Sequence, residues 1–234
     1  MSGAGSGNIM PETSDWESEL WTHLSTSDGN QCPLYDFCQE RQGGGNCFDD
    51  IKLDLDQVAE YQQFNLADYN FIRPAGSCKI YSMIQRLAQQ YLRKSGISRL
   101  PVPTEIISLA DEKHPIEIRT VPLKTCHGAL WGLQDAWVIH LNSNDPISIQ
   151  RFTLFHEAFH ILAHRNSTPI FCNRKSIQAP FNEALACLFA GFVLQPEDWL
   201  RQKWAEVKDL DRMAEIFQVS KPVMCVALKS SGLL

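Results

Sequence analysis

The chain has 234 residues, of which 44% are hydrophobic and 21% charged, an ordinary globular composition that excludes collagenous, coiled-coil and wholly disordered proteins. Its formal net charge of −6 divides unevenly: residues 1–60 hold 12 acids and two bases, Arg41 and Lys52, whereas the rest holds 15 acids and 19 bases. An acidic leader is no phosphate-binding arm and the remainder has no dense Lys/Arg stripe, so direct nucleic-acid binding is not expected.

The longest apolar run, which contains Leu185 to Leu194 and is bounded by Glu183 and Gln195, is far short of the roughly 20 residues that cross a bilayer, so no membrane association is expected. The N-terminus has neither the basic start nor the apolar core of a signal peptide. Eight cysteines are too sparse for a small secreted disulfide scaffold. A cytoplasmic protein with reduced thiols is the expectation.

Residues 1–30 are rich in Gly, Ser and Asp and lack sustained periodicity, so this acidic leader is expected to be mostly disordered. Residues 31–78 form a cysteine-bearing extension of uncertain structure. A helix is predicted from about Lys79 to Lys94, where Ile80, Met83, Ile84, Leu87, Tyr91 and Leu92 recur at helical spacing and Gly96 marks the stop. Pro101 to Ala110 reads as a short helix that Thr104 can cap. Ile116 to Leu123, Ala129 to Leu133 and Ala136 to Leu141 read as strands, the last two flanking a Gln134-Asp135 turn, and together they predict a small antiparallel sheet.

Ser143-Asn144-Asp145-Pro146 then supplies caps for a long helix to His164, with Phe152, Phe155, Phe159 and Leu162 as its apolar stripe. A second apolar helix is predicted over Phe181 to Leu194. A helical tail follows in three pieces, Glu197 to Val207, Leu210 to Phe217 and Lys221 to Lys229. The expected fold class is α+β, with the sheet packed on the two apolar helices of a domain spanning residues 79–234.

The chemistry is carried by His156-Glu157-Ala158-Phe159-His160. Residues four apart on a helix share one face about 6 Å apart along the axis, so both imidazoles can converge on one metal ion. Glu157 points beside that pair, where a carboxylate serves as general base. Catalytic zinc takes three protein ligands as a rule. Glu183 is the candidate third ligand, because it is the only acid in the apolar segment from 183 to 190 and an unpaired buried carboxylate is costly. His164 competes, but it lies about 12 Å from His156 along a straight helix, out of reach of a shared ion.

These residues resemble the ImmA/IrrE family of zinc metallo-endopeptidases. Residues 151–164, RFTLFHEAFHILAH, are similar to the family's RFTLAHELGHLLLH. Glu183, Ala186, Phe189-Ala190 and Pro196 are similar to its E-x-x-A-N-x-F-A segment ending in proline, Trp137 to Asn142 to its strand before the active-site helix, and Phe217 to Ser220 to its F-x-V-S tail. The resemblance covers about residues 80 to 234. It implies His156, His160 and Glu183 as zinc ligands and Glu157 as catalytic base.

Three departures stand out: Cys187 where the family usually has Asn, Phe159 where it often has Gly, and Ala227 where it commonly has Arg. Cys187, one turn from Glu183, either perturbs the site or offers a thiolate. His140 and His164 both remain candidates to stabilise an oxyanion.

The expected function is zinc-dependent intracellular peptide-bond hydrolysis of a protein substrate. The resemblance implies a helix-turn-helix transcriptional repressor as that substrate, in a stress, phage or mobile-element setting. The alternative is a non-catalytic, zinc-stabilised module that docks onto a repressor or toxin. Cys32, Cys38, Cys47 and Cys78 are weak candidates for a second metal or an iron–sulfur cluster, with free thiols as the plainer reading. Cys126, Cys172 and Cys225 read as buried or incidental thiols.

Overall fold

The computed structural model describes Ser18, Leu20 and Trp21 and residues 79–124, 126–166 and 179–234. Cys32, Cys38, Cys47, Cys78 and Cys172 lie outside the described residues, as do nearly all of the leader and the whole extension. Helix α1 spans Lys79–Ser95 and buries Met83, Ile84, Leu87, Ala88, Tyr91 and Leu92 on one face. Gly96 ends it at φ +66°, a left-handed conformation that glycine adopts without a Cβ penalty.

A 3-10 helix follows at Thr104–Ala110, burying Ile106, Ile107 and Ala110. Its N-terminal flank is Pro103, with no side-chain cap, so Thr104 begins the element and does not cap it. Two long-range bonds hold it in place: the Tyr91 hydroxyl donates to the Ile106 carbonyl at 2.6 Å, and Arg151 Nη2 donates to the Val102 carbonyl at 2.7 Å.

The α+β architecture is as the sequence predicts, but the sheet is mixed. Strands β1 (Ile116–Val121), β2 (Gly128–Gly132) and β3 (Trp137–Asn142) lie in the order β1-β3-β2. The two-residue turn, closed by Leu133 N–H to Ala136 O at 2.8 Å, obliges β2 and β3 to pair antiparallel. The connection after β1 instead carries the chain past the end of β3, so β1 pairs parallel with it, Ile116 opposite Trp137. Asn142 pins this crossing: its amide donates to the carbonyls of Leu123 and Cys126 and accepts from the Leu123 N–H.

Helix α2 (Ile147–Asn166) packs beneath the sheet, and α3 (Ala179–Leu194) lies between α2 and α1. Both are apolar on nearly every side because both are covered on nearly every side; Phe155, Phe159 and Phe189 are fully buried. Three helices complete the described chain, α4 (Glu197–Val207), α5 (Leu210–Phe217) and α6 (Lys221–Ser230). Asp209 caps α5 by accepting from the Arg212 N–H at 2.7 Å, and the Ser220 hydroxyl caps α6.

Three leader residues are described, Ser18, Leu20 and Trp21. Leu20 and Trp21 are helical and buried in this core, with the Trp21 ring 6.1 Å from that of Phe159. No helix among the described residues is long and apolar enough to cross a membrane.

Candidate metal centre

The α2–α3 interface brings His156, His160 and Glu183 together. His156 and His160 stand one turn apart on α2, their Nε2 atoms 3.1 Å apart. Glu183 sits in the second turn of α3, with Oε2 2.9 Å from His156 Nε2 and Oε1 3.4 Å from His160 Nε2. Ligand atoms of all three lie within 4.8 Å of one another.

Zinc fits this donor set of two imidazole nitrogens and one carboxylate. A tetrahedral ion about 2.1 Å from each donor needs donor–donor edges of about 3.4 Å, close to the separations present. His156 is buried, whereas the Glu183 side chain is 28% exposed, so the cluster opens to solvent on the Glu183 side. Burial pushes the Glu183 carboxyl upward, but hydrogen bonds with His156 and His160 and the charge of those rings outweigh it. The carboxyl is held well below the usual carboxylate range.

Glu157 is buried between α2 and the start of β2. Its Oε1 lies 3.5 Å from the point where a side chain on Gly128 would begin. Gly128 is therefore part of the floor around the carboxylate, a role that sequence patterning missed. Gly128 stands just before the strand read as Ala129 to Leu133, and a glycine at a strand's end, where a neighbour can approach closely, was the available clue.

Cys187 does not belong to the ligand cluster. Its Sγ lies 3.2 Å from Nδ1 of His156, the ring nitrogen facing away from Glu183 and His160. His140 is also outside the site. Gly128 and Leu141 are paired and face α2, so strand alternation turns His140 to the opposite face, where its ring lies 6.3 Å from that of Trp131. His164 falls near the end of α2, and its side chain is outside the described residues. Cys126 is exposed and Cys225 partly buried, both as free thiols.

A pair of histidines one helical turn apart, His156 buried and His160 partly exposed, closed by a carboxylate from a second helix and accompanied by the next-door Glu157, is suited to metal-assisted hydrolysis. A peptidase family model, the IrrE N-terminal-like domain, matches residues 111–229. That span contains the sheet, both ligand-bearing helices and the helical tail. No curated protein matches the chain.

Proposed function

The chain belongs to the ImmA/IrrE family through its IrrE N-terminal-like domain, and from that membership we propose that it is a zinc-dependent endopeptidase with a helix-turn-helix transcriptional repressor as substrate. The observation that carries the enzyme reading is the convergence of His156, His160 and Glu183 with Glu157 beside them. In this reading His156, His160 and Glu183 hold the metal. Bound zinc supplies a Lewis acid that polarises the scissile carbonyl and makes water acidic enough to attack near neutral pH.

Glu157 accepts the proton of the attacking water on its carboxylate and passes it to the departing amide nitrogen. Its burial against β2 limits the directions in which that carboxylate can swing. β2 is one of the two edge strands of the described sheet, and it starts beside Glu157. An extended segment of substrate can therefore add to that edge through backbone hydrogen bonds. The choice of a repressor, and of a stress, phage or mobile-element setting, follows from the family resemblance of the motif.

The test compares wild type, Glu157→Gln and the His156→Ala/His160→Ala double variant for zinc content, and maps new protein N-termini in cells expressing each. One zinc is expected in wild type and in Glu157→Gln and none in the double variant. Cleavage should fall by about 10²–10⁴-fold in Glu157→Gln, the usual worth of a general base. New termini within a repressor, present with wild type alone, support the substrate. A terminus profile identical for wild type and Glu157→Gln would instead favour a docking module.

A further inference from the structure

His156 is engaged through both ring nitrogens. Nε2 faces Glu183 and His160, while Nδ1 lies 3.2 Å from the sulfur of Cys187. Cys187 is 2% exposed and sits one turn beyond Glu183 on α3. The helix that brings the carboxylate to one side of the ring thus brings a thiol to the other.

A neutral imidazole carries one ring hydrogen. If Nε2 gives its lone pair to a metal, that hydrogen must be on Nδ1, where in a buried position it needs an acceptor. The Cys187 sulfur occupies that place. Its position also argues against a ligand role, because it meets the ring nitrogen that points away from the cluster.

We propose that Cys187 is a positioning residue: it accepts the Nδ1–H of His156, fixing both the tautomer that leaves Nε2 free and the rotation of the ring toward Glu183. The inference rests on the metal reading above. Cys187 also borders a cavity with Phe152, Gly191, Leu200 and Val223. Loss of its bulk would enlarge that void and lower stability whatever the thiol does for His156. Stability alone therefore cannot test the role.

Two substitutions in the full chain separate acceptor from bulk. Cys187→Val keeps the bulk and removes the acceptor; Cys187→Ser keeps an acceptor and loses bulk. The readouts are zinc affinity, measured by competition with a chromogenic chelator, and the Nδ1–H signal of His156 in nitrogen-15 histidine NMR of the zinc-loaded protein.

Cys187→Val is expected to weaken zinc binding by about 10–100-fold, the usual effect of losing such a partner, and to lose the slowly exchanging Nδ1–H. Cys187→Ser should bind closer to wild type and keep that signal. Zinc binding by Cys187→Val equal to or tighter than that of Cys187→Ser overturns the positioning role and leaves the metal reading standing. Wild-type protein that holds no zinc overturns both.

Discussion

At Gly128 a hydrogen takes the place of a side chain, and that absence is what lets β2 lie against α2 beside Glu157. A Cβ there would overlap Thr153 Cγ2 and approach the His140 carbonyl to 3.1 Å. Thr153 is buried and β-branched, so it has little freedom to turn aside. Gly128→Ala should therefore cost about 1–3 kcal/mol in urea unfolding, the range for overpacking, and should depress cleavage by moving the Glu157 carboxylate. Adding Thr153→Ser removes the methyl it meets and should restore part of both losses. If Gly128→Ala unfolds and cleaves like wild type, β2 does not rest on α2 as described. The motif from His156 to His160 was legible because its chemistry is local to one helix. Gly128 was not, because its importance lies in what another element brings against it.

Between elements, Asp111 does for the 3-10 helix and the sheet what Asn142 does for the strands. It follows the 3-10 helix and accepts from the Trp137 indole on β3 at 3.1 Å, from the Lys113 N–H at 3.0 Å and from the His114 ring at 2.8 Å. Burial pushes its carboxyl up, but hydrogen bonds with His114, Trp137 and Lys113, and the charge of His114, more than offset this and hold it well below the ordinary carboxylate range. The ionised form is favoured by folding, so its contribution is complete above the unfolded value of about 3.9 and is lost as pH falls toward the folded one. Wild-type stability in urea should fall more steeply between pH 5 and pH 2, both approximate bounds, than that of Asp111→Asn. Parallel curves would remove Asp111 from the account of acid sensitivity. Most helix boundaries and the β2–β3 hairpin were readable from helical periodicity, glycine, proline and turn residues, whereas the expected Thr104 cap did not form. The parallel pairing of β1 was not, because alternation identifies a strand without naming its neighbour.

Across the whole molecule, a run of aromatic rings links the leader to the domain. Trp21 lies 6.1 Å from Phe159, Phe159 lies 5.7 Å from Phe189, and Phe189 lies 5.5 Å from Tyr91, joining the leader, α2, α3 and α1 in turn. This gives a physical reason for the phenylalanine at 159, where the family often has glycine: the ring fills the space between Trp21 and Phe189. Trp21→Ala is expected to destabilise the full chain by about 3–5 kcal/mol. In a double-mutant cycle with Phe159→Ala, the two losses should fall short of adding, since the rings share one contact. Strict additivity, measured by urea unfolding, would mean that the leader does not seat on the helix that bears the motif.

The sequence alone determined the helical periods, the α+β class and the pairing of His156 with His160, because each depends on residues near in the chain and on fixed backbone geometry. It also singled out Glu183, through the oddity of one acid in an apolar helix. Only the tertiary structure decided that Cys187 stands behind His156, that His140 faces away, that Gly128 borders Glu157 and that Leu20 and Trp21 join the core. Those relations depend on how separate elements are laid against each other, and hydrophobic periodicity specifies which face is buried without specifying what buries it.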